Sequence, residues 1–306
     1  METPVAFLIF NRPDTTEKVF AAIRKAQPPK LLVVADGPRS NIPDEVEKCQ
    51  ATRAIIDRVD WECEVLTNYS KINLGCKTRV SSGLDWVFDH VESAIILEDD
   101  CLPDPSFFLF CEKLLNYYRE DERIMVISGD NFQFGRKRTD YSYYFSRYNH
   151  CWGWATWKRA WQHYDIEMKL WQQIRDGNWL ECILERPKAV KYWSNFFQAA
   201  YEENINTWAL RWTLSCWLQS GLTILPNVNL ITNIGFGQEA THTVDSNPKN
   251  PLANIPTEKM YFPLQHPPFI IRDAEADNFT EQLIFNGSLW LRLSKKIDRL
   301  IKKGWK

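Results

Sequence analysis

The sequence predicts an α/β fold: a mostly parallel, doubly wound sheet flanked by helices, followed by a C-terminal amphipathic helix. Three observations support this. Apolar runs and amphipathic stretches alternate through the first third of the chain. The apolar runs are continuous, as in strands covered on both faces. Polar residues collect immediately after those runs, at the edge where open α/β sheets bind ligands.

"VAFLIF" (residues 5–10) reads as a buried first strand. "RPDTTEKVFAAIRKA" follows as a helix, with Asp14 or Thr15 as cap and Val19, Ala22 and Ile23 as its apolar stripe. "KLLVVADGP" (residues 30–38) is a second buried strand closed by an Asp-Gly turn. "DEVEKCQATRAIIDRV" is a helix, "CEVLTNY" a strand, "CKTRVSSGLDWVFDHV" a helix and "SAIILEDD" a fourth strand. Asn11 and Arg12 thus follow the first strand, Asp36 and Gly37 the second, and Glu98, Asp99 and Asp100 the fourth.

From Asp121 the texture changes. "IMVISGDN" is a short strand ending in Gly129, Asp130 and Asn131, and "NHCWGWATWKRAW" is aromatic-rich. Residues 188–220 read as helical, "LTILPNVNLITNIGFG" as a strand, and the Pro- and Asn-rich residues 243–268 as a long loop. In the tail, Leu289, Leu293, Ile297 and Leu300 form an apolar helix face, opposite Arg292, Lys295, Lys296, Arg299, Lys302 and Lys303. That tail is either an ordinary packed helix or a peripheral contact with an anionic membrane surface.

A formal net charge of −2 gives no global basic field for nucleic acid. No apolar run approaches the ~20 residues that span a bilayer, and the first residues lack the basic region of a signal peptide. With eight scattered cysteines and no C-x-x-C pair, the expectation is reduced thiols and a cytoplasmic setting. Neither a dinucleotide-binding nor a P-loop glycine pattern occurs. Most of the 14 Trp are expected in cores, Trp152, Trp154 and Trp157 included, with sugar stacking as the other use of such rings.

Three consecutive acids at the end of a buried strand repel one another unless something compensates them. A solvated turn is one solution. A hard cation, Mn²⁺ or Mg²⁺, held by a carboxylate together with substrate phosphates is the other, and the position after "AIIL" favours it.

The block "AIILEDDCLPDPSFFLF", with "PVAFLIFNRP", "VVADG", "VISGDN", "GWATW" and "IGFGQEATHT" in this order, resembles the N-acetylglucosaminyltransferase I family and its bacterial relatives, nucleotide-sugar glycosyltransferases of the Rossmann-like GT-A fold. The resemblance implies a GT-A domain over residues 1–272, with a nucleotide-binding half (1–130), an acceptor half (131–272) and a basic tail (273–306). It implies Asp100 as metal ligand, Glu98 and Asp99 near the ribose and base, and Arg12 and Asp36 at the uracil. It places Gly237, Thr241 and His242 in a loop over the diphosphate. Lys77 and Arg79 could meet the phosphates, although a solvated helix face is the plainer reading of Lys77.

The implied activity is transfer of a sugar from a UDP-sugar to a glycan or lipid-linked acceptor hydroxyl, with inversion. That chemistry needs a general base. Where the family has an acid, "EENINTWALRW" has Asn206, Thr207 and Ala209, which leaves Glu203 and Asp130 as candidates. Two alternatives stand beside the transferase: a binding protein on the same fold without turnover, and a nucleotidyltransferase. The second lacks the expected Gly-rich loop after "VAFLIF".

Overall fold

The structure, a computed structural model, describes residues 1–236, 252 and 255–285. Its strands are β1 (Val5–Ile9), β2 (Lys30–Ala35), β3 (Glu64–Tyr69), β4 (Ser93–Glu98), β5 (Cys101–Pro103), β6 (Ile124–Ser128), β7 (Tyr143–Ser146), β8 (Trp154–Trp157), β9 (Leu222–Pro226) and β10 (Ile231–Asn233). Its helices are α1 (Pro13–Ala26), α2 (Glu45–Ala54), α3 (Gly75–His90), α4 (Ser106–Tyr117), α5 (Lys158–Trp161), α6 (Trp171–Asp176), α7 (Leu180–Ile183), α8 (Pro187–Tyr201), α9 (Ala209–Leu218) and α10 (Ala274–Thr280).

Eight strands form one mostly parallel sheet in the order β3-β2-β1-β4-β8-β6-β9-β7. The expected parallel unit β3-β2-β1-β4 is present, with Leu8 opposite Val34 and Glu98. β8 then runs antiparallel between β4 and β6, and β9 pairs parallel with β6. β5 and β10 make a separate antiparallel ribbon directly after the acid block.

The period-2 geometry of a strand divides β1 between two cores. Val5, Phe7 and Ile9 pack with Val19, Phe20 and Ile23 of α1 and with Phe107, Phe110 and Leu114 of α4. Ala6 and Leu8 pack on the other side with Val80, Leu84 and Val87 of α3 and with Trp154, Trp208 and Trp212. A third core joins Tyr148 to Trp171 of α6, Trp193 and Phe197 of α8 and Trp217 of α9. As expected, Trp154 and Trp157 are core residues.

Several expectations from the sequence need correction. "GWATW" is a central strand, because Trp154 to Trp157 are buried on both faces between β4 and β6. The helical stretch 188–220 is two helices, broken where Glu203 takes φ 60°. "LTILPNVNLITNIGFG" supplies two strands in different sheets. Residues 273–285, grouped with the tail by sequence, pack on the domain: the Ser146 hydroxyl donates to Asp277 Oδ1 at 2.5 Å, and Gln133 Nε2 to the Ala276 carbonyl at 3.1 Å. The amphipathic tail 289–306 lies outside the described residues. Among the described residues, no helix is long and apolar enough to cross a membrane.

The α8–α9 break is tied down by Arg211, only 1% exposed. Its guanidinium donates to the carbonyls of Ile166, Thr207 and Ala200 at 2.7, 2.8 and 2.6 Å and to Glu203 Oε1 at 3.0 Å. Arg211→Met strands those carbonyls, each at a cost of roughly 1–3 kcal/mol. Urea unfolding is expected to show a loss of about 3 kcal/mol or more.

Candidate functional site

The carboxyl ends of β1, β2 and β4 meet around a cavity of 270 Å³, near the lower end of the range for small-molecule sites. Phe10, Arg12, Asp36, Arg39, Glu98 and Asp99 contribute to its wall. Arg12, Asp36, Glu98 and Asp99, four of the residues expected to contact a nucleotide, are therefore gathered at one place, together with Arg79.

Asp99 is buried, and its Oδ2 accepts the Phe10 backbone N–H at 3.0 Å, which couples the acid block to the end of β1. Arg12 lies across the block: Nη1 donates to Asp100 Oδ2 at 2.9 Å, and Nε stands 3.9 Å from Asp99 Oδ1. The pairing runs across the sheet edge to Asp99 and Asp100, not locally to Asp14. Burial, then repulsion from Asp100 and Asp99, pushes the Glu98 carboxyl upward. Asp99 is pushed the same way, with burial outweighing the opposing pull of Arg12.

A glycine holds this pair from above. A Cβ on Gly235 would stand 2.1 Å from Asp100 Oδ2 and 2.7 Å from Arg12 Nη1, so the chain beyond β10 passes directly over the acid–guanidinium contact. The sequence reading named Gly237 and passed over Gly235. Gly237, Thr241 and His242 lie outside the described residues.

Asp36 lines the cavity and also caps a helix. Its Oδ1 accepts the N–H groups of Gly37 and Leu74 at 2.8 and 2.9 Å. Its Oδ2 accepts Asn73 Nδ2 and the Gly75 N–H at 3.1 and 3.0 Å. A carboxylate so engaged serves the unpaired amides and positive dipole end at the start of α3. Gly75, at φ +76°, lets the chain turn into that helix.

Lys77 leaves the cavity and donates through Nζ to Glu203 Oε2 at 2.5 Å. The Lys77 bond, then the Arg211 charge, draws the Glu203 carboxyl below its ordinary range despite some burial. Glu203 is therefore a weak proton acceptor. Asn206, which stands where the resemblance expects an acid, lines the cavity and accepts the Lys77 N–H through Oδ1 at 2.9 Å.

Asp130, at the end of β6, is fully buried. Its Oδ2 accepts the Trp152 N–H at 3.0 Å, while Oδ1 has no partner among the described residues. Burial raises its carboxyl well above the ordinary range. It opens on a second cavity of 220 Å³, which His150 also lines. The same cysteines, Cys101 and Cys151, feel the charges of Glu98, Asp100 and Asp130, which puts the two regions close together.

Among the described residues, no three His, Cys, Asp or Glu side chains converge into a protein cage. Asp100 Oδ1 has only a thiol contact, from Cys101 Sγ at 3.4 Å, and can serve as a single carboxylate ligand. A cation there would take its other ligands from phosphate and water, the habit of Mg²⁺.

Asp36→Asn would turn an amide NH₂ towards backbone donors. A loss of about 2 kcal/mol is expected in denaturant unfolding, with loosening at the start of α3 seen by amide exchange. His150 gives a pH signature. Burial lowers its pKa to about 3, so the folded state binds fewer protons than the unfolded one below about pH 6.5, and acid destabilises it. Burial raises the Asp130 carboxyl, a contribution of opposite slope. Measured against His150→Asn, in which Asp130 is retained, the wild type is expected to lose stability progressively from about pH 6.5 to 4.5.

No protein-family model and no curated protein matches the chain. Among solved structures, the crystal structure of 4-diphosphocytidyl-2C-methyl-D-erythritolsynthase from Anaerococcus prevotii DSM 20548 is similar at 11% identity, with a TM-score of 0.32, over 52% of this chain and 72% of that one. Likeness at that level carries no inference about activity.

Proposed function

We propose that the protein is a metal-dependent glycosyltransferase that moves a sugar from a UDP-linked donor to an acceptor hydroxyl on a glycan or lipid-linked substrate. The observation that supports it most is the acid block: Glu98 and Asp99 line a ligand-sized cavity at the carboxyl edge of the parallel strands, and Arg12, which also lines it, pairs with Asp99 and with the neighbouring Asp100. In this reading Asp100 holds Mn²⁺ or Mg²⁺, which supplies Lewis-acid stabilisation of the charge growing on the leaving diphosphate. Arg12 orients the block, and Glu98 and Asp99 stand at the ribose and base. Asp36 acts through α3, shaping the wall against which the base lies.

Asp130 and Glu203 stand as the base candidates: Asp130 has one carboxyl oxygen without a partner among the described residues but burial raises its carboxyl, and Glu203 is tied to Lys77 and Arg211. The basic tail, residues 289–306, would bring the enzyme to an anionic membrane surface where a lipid-linked acceptor resides. The engaged state of Glu203, together with Asn206 and Thr207 where acids are expected, favours a second reading as a nucleotide-sugar binder without turnover.

Titration calorimetry of UDP with and without Mn²⁺ tests the first step. Binding that requires Mn²⁺ and weakens at least about tenfold in a folded Asp100→Ala variant is expected. Absence of UDP binding in both metal conditions would leave the block as a structural turn. Product on an acceptor then separates transferase from binder, and pyrophosphate release from a nucleoside triphosphate and a sugar phosphate would indicate nucleotidyl transfer instead.

A further inference from the structure

Asn206 reaches the first cavity from the far half of the chain, on the connection between α8 and α9. That connection is fixed at both ends. Glu203, at φ 60°, is held by Lys77 and Arg211. Trp208 is buried and stacks on Trp154 of β8, with 5.5 Å between ring centres and 18° between planes. Between these anchors, Asn206 Oδ1 accepts the Lys77 N–H in the first turn of α3 at 2.9 Å. The other end of the amide lies against Gly75, where a Cβ would stand 2.7 Å from Nδ2. Gly75 also lines the cavity.

The other polar side chains on this stretch of wall are spent on the protein itself. Asp36 accepts the Leu74 and Gly75 N–H groups. Asn73 Nδ2 donates to Asp36 Oδ2 and to the Gly37 carbonyl at 3.1 and 2.9 Å. Asn206 Nδ2 differs: it makes no hydrogen bond among the described residues, and the residue is exposed. Such a nitrogen offers N–H groups and accepts nothing.

We propose that Asn206 binds the nucleotide, donating from Nδ2 to one of its acceptor oxygens, on the base, the ribose or the diphosphate. The inference deepens the UDP-donor reading and rests on it. It gives the position where the resemblance expects an acid a part in holding the donor, not in deprotonating the acceptor. The Lys77 N–H fixes which end of the amide is free, so aspartate is not an equivalent. Aspartate would keep the Lys77 bond and present the ligand with an anionic acceptor in place of a donor. A preset donor also gives specificity, because a ligand lacking the matching oxygen leaves it unpaired.

The test is calorimetry on the full chain with Mn²⁺, using UDP, CDP, GDP, ADP and uridine against wild type, Asn206→Ala and Asn206→Asp. Both variants are expected to weaken UDP about tenfold or more. Asn206→Asp should keep the wild-type urea midpoint, because the Lys77 bond survives. An equal loss with uridine places the oxygen on the nucleoside, and a loss with UDP alone places it on the diphosphate. If Asn206 were only a cap for α3, Asn206→Asp would bind UDP within about twofold of wild type. If the position served a base, Asn206→Asp would raise product formation at unchanged UDP affinity. Either of those results overturns the proposal.

The Asn206 side-chain amide resonance of the wild type gives a readout that does not depend on the variants folding. It should shift when the nucleotide is added, and a resonance that stays in place at saturation also overturns the assignment. If another nucleotide binds instead of UDP and both variants weaken it, the UDP reading fails and Asn206 keeps its role. If no nucleotide binds the wild type, both fall.

Discussion

Among the described residues, Arg12 is the cation paired with the acid block, and it meets Asp100 and Asp99 across 88 and 87 positions of sequence. That leaves negative charge in excess at the end of β4. Carboxylates near a core tolerate such an excess only by holding protons or by recruiting another cation. The surrounding structure is arranged to keep the block in place all the same. The Phe10 amide holds Asp99, and Gly235 closes over Asp100 without a side chain to push it aside. Asp36, at the end of β2, is held by backbone amides at the start of α3. The buried carboxyls of Glu98 and Asp99, with Arg12 beside them, are what make the cavity chemically distinctive.

The two base candidates show how environment separates like residues. Glu203 sits on an exposed, left-handed corner with two cations attached, and gives up basicity to structure. Asp130 is buried beside Trp152 with an oxygen unmet among the described residues, and burial, which penalises the charged form, raises its carboxyl. Neither behaviour follows from sequence position; both follow from what the side chain touches.

The parallel half of the sheet was legible because its signals are local. Runs such as "AIIL" and "LLVV" dictate buried strands, and the acids after them fall at the ligand edge by topology alone. The second half was less legible. "GWATW" lacks the aliphatic, β-branched run that marks a strand, and becomes one because Trp154 stacks on Trp208 and fills the space under α9. β7, "YYFS", gave no warning either. The role of Asp36 was hidden because its donors come from residues 73–75, far along the chain. The second cavity draws on residues near 130, 150 and 193, a grouping that only tertiary packing creates.

The place of β8 bears on how the molecule can be cut and assembled. It is the seam between the parallel unit and the strands β6, β9 and β7, and it arrives in the chain well after the strand it covers. A fragment ending at residue 130 would contain the whole acid block yet leave β4 as an open edge with four consecutive apolar residues, Ala94 to Leu97, the geometry that invites pairing between chains. The two halves suggested by sequence are thus one folding unit. During synthesis, the strand that presents the acids stays unprotected until Trp154 and its neighbours emerge, and the site is completed from the far side of the sheet.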